Sequence, residues 1–589
     1  MKHAVTIICV LTMLLQGGFS DAAWCICGII AAGFLCLRWK RTVPAAALIL
    51  MAAAVVIFAV PALFHGVSYE ALASIMKLIT ACMLVLSFFA ADTDARETVF
   101  VTGMAAAAVG YLTFCGVFHW DGAVASRRLQ SVFQYANAAG IFLGVAAFLI
   151  RNDEKRAPFA IFPETAMLLT QSVGAILVYI AGWAIYLLKN GKKSEFPQAF
   201  LGFAVSLLSA AAIYAIVYMT GAAQLALVFP VAMIVFRKSI RKAIIKVSGF
   251  RILIRAGCFA GFAAVAALFA ARGLRPVATY LERLIQIADG LKATMRNPFG
   301  IGPGAWQFMY QAYQSAPYNA TILHCGYVAA IVGAGLAIVF PITLAIVYWL
   351  RRQKWDARSI CVIMILLHAV MDITFSFLSI VFVLATLLAE TFREGVSGMA
   401  PREAHPPQRN ANRQPPREQQ KKHPLELLRV LFAVPLALCA VLLVTSAIKN
   451  LAAWAASSGD PASAAELLGQ RIIKNDTEAL MTEMDLYLQT GDHDSLDATF
   501  RSVSRPNAEA YGIKARSQLQ RRQYNEAADS AYLCAELSPH SDAGFLLLDE
   551  TLPYLDEAAK MIYSTKAAAL KSGTRQNALY LFIIRIGDG

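Results

Sequence analysis

Charge is scarce in this chain. Only 15% of its 589 residues are charged, against about 25% in soluble domains. With 58% hydrophobic residues and a mean hydropathy of +0.56, it has too little polar surface to be an ordinary soluble globule. Acidic residues are the rarer sign, 38 against 52 basic ones, and half of them lie beyond residue 448. No cluster of carboxylates suggests a divalent-cation cage. The eleven cysteines are mostly scattered through apolar stretches, as at Cys9, Cys82 and Cys361. There is no CxxC pair, and Cys25 and Cys27 lie too close together for a metal site, so neither a disulfide framework nor a zinc site is readable. Alternating strands of a membrane β-barrel are missing too. The net charge of +14 does not mark a nucleic-acid binder. The basic residues sit in short loops, such as 237–246, 351–354 and 402–422, as positive-inside topology requires.

What is present is apolar helix. Runs near span length fall at 4–20, 22–37, 44–64, 70–91, 97–118, 134–150, 157–171, 172–188, 197–218, 221–236, 250–271, 321–350, 357–371, 374–391 and 428–448. A helical span takes about 20 such residues, so the expectation is an all-α, polytopic helical membrane protein of about 13–15 spans. The first run reads as an uncleaved span, because Trp24 spoils a small-residue cleavage site. Pro163 and Glu164 inside 157–171 suggest a broken or re-entrant segment. Counting that segment as a span puts every basic loop on the cytoplasmic side, with Lys2 inside. The same parity puts 118–135, 272–320 and everything after about Ser446 outside.

Four regions follow: a membrane core over 1–392, a Pro/Arg/Gln-rich cytoplasmic linker over 393–427, a last span at 428–448, and an outside α-helical repeat domain over 449–589. In the linker, a solvated tether and a contact with acidic lipid headgroups are both readings. In the last region, Tyr511, Ala515, Leu519, Tyr524, Ala527, Ala531 and Pro539 fall near tetratricopeptide-repeat positions. The stretch 460–503 reads as degenerate helix pairs. A generic helical hairpin domain would share these features.

Polar residues with chemical capacity gather in the outside pieces. Arg127 and Arg128 precede a small-residue helix starting near Asn137. Arginine outside runs against the usual bias. It fits either a bidentate phosphate contact or interfacial snorkelling. Thr170-Gln171-Ser172-Val173-Gly174-Ala175 is a polar break between apolar runs. A third piece carries Arg283, Lys292, Arg296, a glycine turn with Gly302 and Gly304, and then His324. Histidine suits proton transfer near neutral pH, although a lone histidine is often only structural. His368 and Asp372 place an ionisable pair at a helix end, a functional candidate by position.

These blocks resemble the O-antigen ligase and O-antigen polymerase family. Asn297-Pro298-Phe299-Gly300-Ile301-Gly302-Pro303-Gly304 resembles its N-P-L-x-G-x-G turn. His324 with Gly326, Tyr327 and Gly333 resembles its H-N-x-Y-L…G block. Arg128-Leu129 through Asn137-Ala138 resembles R-L-x-G-x-F-x-x-x-N-x-x-A, and His368 to Asp372 resembles H-x-x-x-D-F. The likeness spans roughly 95–392. Two positions depart: Val173 stands where the family has an arginine thought to help bind the lipid diphosphate, and Cys325 stands where it has an asparagine.

The resemblance implies a GT-C-like, metal-independent glycosyltransferase in a bacterial cell membrane, with inversion at the anomeric carbon and no cofactor. It would take a glycan from an undecaprenyl diphosphate donor to a glycan, lipid or protein acceptor, as ligase or polymerase. Arg128 would hold the diphosphate and His324 would activate the acceptor. Arg127, Arg283, Arg296, Gly302, Gly304, Asn137 and Asp372 would bind substrate. Membrane lipids, and proteins docking on the repeat domain, are the other expected partners. The departure at Val173 motivates an alternative, an inactive relative acting as a scaffold. A transporter is a third reading, weakened by the lack of visible inverted repeats.

Overall fold

A computed structural model describes residues 2–38, 43–91, 94–190, 196–248, 275–397 and 423–573. The expected span 250–271 and most of the linker lie outside the described residues. The protein is all-α, about 79% helix. Its strand content among the described residues is one short antiparallel ladder pairing Val124–Ala125 with Arg128–Leu129.

Six described helices are long and apolar enough to cross a membrane: Ala45–His65, Tyr69–Ala91, Ala95–Phe114, Val173–Asn190, Phe196–Met219 and Phe432–Ser457. A seventh candidate is the pair Ala223–Val235 and Arg237–Val247, bent by 74°. That is fewer than the 13–15 expected. Other runs are apolar but form shorter helices, such as Asp21–Leu37, Ala136–Arg151 and Ala357–His368. At 1.5 Å per residue these fall short of a hydrocarbon core about 30 Å thick.

The run 321–350 shows how a continuous apolar stretch fails to be one helix. It breaks at Gly335, whose φ of +83° and ψ of 179° exclude a side chain. On either side lie Gly326–Ala334 and Val339–Leu350. The glycine loop fills the break. Leu336 N–H donates to the Pro298 carbonyl (2.9 Å), and Ile301 N–H donates to the Val332 carbonyl (2.9 Å). These bonds satisfy backbone groups that the break would otherwise leave unpaired.

The centre of the bundle is Ala136–Arg151, buried along almost its whole length. Ala95–Phe114, Ile161–Leu169, Val173–Asn190 and Ala357–His368 pack around it. Small residues permit the close approach: Gly103 faces Ala146, and Gly140 faces Ser172 and Ala175. The segment around Pro163 is a short, fully buried helix, Ile161–Leu169. Its Glu164 pairs with Arg151 and accepts from Ser206 Oγ (2.7 Å) and Tyr179 OH (2.5 Å). Both oxygens of this buried carboxylate thus have donors, which offsets the cost of taking its charge out of water.

The last span does not stop at 448. One helix runs His423–Ser457, and its final turns bring Ala452 and Ala455 against Ala464, Ala465 and Leu468 of the next. The helix that carries the span is therefore also the first helix of the C-terminal helical region. Pro461–Gly469, Thr477–Thr490, His493–Ser502, Ala508–Gln520, Tyr524–Leu537, Asp542–Thr551 and Glu557–Gly573 follow. Side-chain caps at Asp460, Asp476, Asp492, Asn507 and Ser541 start five of them. Ala508–Gln520 and Tyr524–Leu537 form the expected hairpin, closed over fully buried Ala515, Ala527 and Ala531.

Candidate functional site

The loop after Phe114 is shaped by backbone unusual for side-chain-bearing residues. Ser126, Arg127, Ser131 and Gln134 all have positive φ. The resulting ladder turns Arg128 inward. Its Nε donates to the Thr170 carbonyl (2.9 Å), and its Nη2 donates to Asn137 Oδ1 (3.1 Å). Ser172 Oγ donates to the same oxygen (2.9 Å). The block at 127–137 and the polar break at 170–175 are thus one structure.

Asn137 reaches further. Its Nδ2 donates to Asp372 Oδ2 (2.8 Å), and Tyr135 OH donates to Asp372 Oδ1 (3.0 Å). Arg283 closes the network from the amphipathic helix Arg275–Arg296. Its Nη1 lies 3.0 Å from Asp372 Oδ2 and donates to the Met371 carbonyl (2.5 Å), while Nη2 donates to Tyr135 OH (3.3 Å). Arg283 and Asp372 are both buried.

Three helices begin here. Ala136–Arg151 starts beside Asn137. Val173–Asn190 starts beside Tyr280 and His368, since a Cβ on Gly174 would lie 2.9 Å from Tyr280 OH and 3.7 Å from His368 Nε2. Gly326–Ala334 starts beside Ala369, whose carbonyl accepts from Gly326 N–H (2.9 Å). Helix N-termini carry partial positive charge. Two arginines and these termini make one positively biased corner with a single buried carboxylate, Asp372, in the network.

His324 stands at this corner, half-buried, with Nδ1 2.9 Å from Gln286 Oε1. Burial holds its imidazole below the ordinary histidine range. The Arg283 charge pushes the same way, and Asp372 opposes. His368 is buried, with Nδ1 bonded to Thr374 Oγ1 (2.8 Å).

The structure therefore brings together Arg128, Asn137, Arg283, Asp372 and His324. It does not bring in the rest. Arg127 turns away, its guanidinium 5.5 Å from the centre of the Tyr218 ring. Arg296 is exposed at the far end of its helix. Gly302 and Gly304 lie at the opposite end of Gly326–Ala334 from His324, about 13 Å away by helical rise. Gly302 N–H donates to the Gly333 carbonyl (3.2 Å), and a Cβ on Gly304 would meet the Glu70 carbonyl at 2.7 Å. The glycine turn is a joint between helices rather than part of the polar corner. Tyr135 and Gln286 were not legible as site residues. The signal that could have found Gln286 is its helical spacing, three residues after Arg283.

The chain matches no protein-family model, no curated protein and no solved structure.

Proposed function

We propose that this protein transfers a glycan from a lipid-linked diphosphate donor to an acceptor hydroxyl at the outer face of the membrane. One observation carries the reading. Segments far apart in sequence, 127–137, 170–175, 283–286, 324 and 368–372, meet in one corner that combines two arginines, three helix N-termini and a neutral-leaning histidine.

The chemistry follows from the donor. Its diphosphate is already a good leaving group. When the glycosidic C–O bond breaks, the electron pair leaves with the phosphate oxygen. Arg128 and Arg283 offer forked donors to that charge, and the helix termini add fixed positive ends. Arg283 takes the role of the cation missing at Val173, held in place by Asp372. His324 accepts the acceptor's proton as the new C–O bond forms. The family resemblance supports this assignment through Arg128, Asn137, His324 and Asp372.

The inactive-scaffold reading draws on Val173 and on the pairing of Arg283 with Asp372, which lowers its net charge. The lipid-linked glycan pool of cells lacking the protein separates the cases. Accumulated single units indicate a polymerase, and accumulated finished chains indicate a ligase. An unchanged pool would refute transfer and leave the scaffold or the transporter.

A further inference from the structure

The side chain beneath His324 is a glutamine held at both ends. On the helix Arg275–Arg296, Gln286 lies one turn beyond Glu282. Gln286 Nε2 donates to Glu282 Oε1 (3.1 Å), and Gln286 Oε1 lies 2.9 Å from His324 Nδ1. Gln286 is 2% exposed, so neither end turns to solvent.

The chemistry of the partners fixes the direction of these bonds. An ionised carboxylate only accepts, so the amide end facing Glu282 is the NH2. The oxygen therefore faces His324. An amide oxygen also only accepts, so Nδ1 carries the imidazole proton. The lone pair of the neutral ring is then on Nε2, away from Gln286. We infer that Glu282 and Gln286 are positioning residues that set the His324 tautomer and leave Nε2 as the proton acceptor.

This deepens the proposed transfer reaction and rests on that reading for its use, though not for its geometry. A carboxylate placed directly against a histidine would raise its pKa and favour the charged ring. Interposing an amide keeps the orientation while separating the ring from the Glu282 charge. The other charged and titratable groups acting on His324 are Arg283 on the same helix as Gln286, and Asp372 after the helix Ala357–His368. His368 lies beside Gly174 and Tyr280 at the same corner.

The test reads the tautomer directly in the full-length protein. Uniform 15N-histidine labelling, with His324→Ala to assign the signal, reports which ring nitrogen is protonated without any turnover. The expected wild-type state at neutral pH is protonated Nδ1 and bare Nε2. Gln286→Leu removes the acceptor, so the expected spectrum shows the Nε2-protonated form or a mixture. Gln286→Glu keeps an acceptor and adds charge, so Nδ1 stays protonated and the His324 titration moves to higher pH. Where transfer is measurable, Gln286→Leu should lower it by at least about 10-fold. Gln286→Glu should restore transfer above its raised pKa. A wild-type His324 protonated on Nε2, or a Gln286→Leu spectrum unchanged from wild type, would overturn the relay. Either result leaves the transfer reading standing if transfer itself is observed. The expected tautomers with no transfer would uphold the relay and refute the reaction.

Discussion

At the scale of single residues, the site is a matter of who neutralises whom. Asp372 accepts from Tyr135 and Asn137 and pairs with Arg283. Arg128 is seated by neutral oxygens of Thr170 and Asn137. His324 is held below the ordinary histidine range by burial first and by Arg283 second. A base works in its neutral form. A depressed pKa therefore keeps it competent at neutral pH and costs rate only under acid. The expected pH profile of transfer is flat near pH 7, with its acid limb displaced below the ordinary histidine range. A His324→Ala protein with the same acid limb would assign that limb to another group. The residues legible in the sequence were those whose chemistry is rare in an apolar chain: Arg128, Arg283, His324 and Asp372. Asn137 was legible by its place beside the arginines. Gln286 and Tyr135 were not, because a glutamine on an amphipathic helix and a tyrosine before an apolar one look alike whether they face a site or a lipid headgroup.

At the scale of elements, apolar runs were readable but their ends were not. The run 321–350 looks continuous because its interruption is a single glycine, and glycine occurs inside membrane helices. What breaks the helix is the distant Pro298–Gly300 backbone, and sequence order does not reveal that contact. A Cβ on Gly335 would lie 2.5 Å from the Pro298 carbonyl oxygen. Its backbone region is nearly exclusive to glycine, at a cost of about 1–3 kcal/mol for other residues. Gly335→Ala is expected to lower the thermal midpoint of the purified protein by several degrees, while His324 keeps its surroundings at the other end of the short helix. An unchanged midpoint would show that the loop and the break are not tightly joined. The resemblance marked Gly302 and Gly304 as substrate-binding; what the structure shows at this turn is close packing, with Gly304 against Glu70 and Gly300 against Gly333.

At the scale of the whole molecule, the acidic tail appeared in the sequence as a separate domain over 449–589. The structure draws it against the core. Tyr69 N–H donates to the Asn475 carbonyl (2.8 Å), and Glu478 N–H donates to Glu70 Oε1 (3.2 Å). Lys449 Nζ, paired with Asp476 and Glu478 of the tail, lies 4.5 Å from the centre of the Tyr69 ring of the core. Arg505 Nη1 donates to the Ile301 carbonyl (2.8 Å), and Phe308 packs against the tail's Leu480–Ile513 cluster. The tail therefore grips the glycine loop, on the same chain segment that leads to His324. Sequence could not show this, since each contact joins residues far apart and several are backbone bonds. A hydrogen bond from a charged donor is worth about 1.5–3 kcal/mol. Arg505→Ala is expected to make the segment 297–323 more sensitive to limited proteolysis, and identical cleavage in variant and wild type would contradict the grip. The central claim concerns the polar corner, and one comparison tests it most directly. Glycan transfer from the lipid-linked donor is measured in membranes containing equal amounts of wild type, Arg128→Ala, Arg128→Lys and His324→Ala. The account predicts transfer by wild type and losses of about 10²–10⁴-fold for His324→Ala and 10²–10³-fold for Arg128→Ala. Arg128→Lys should fall nearly as far, because lysine lacks the forked phosphate contact. Wild-type transfer that survives both alanine substitutions would contradict it.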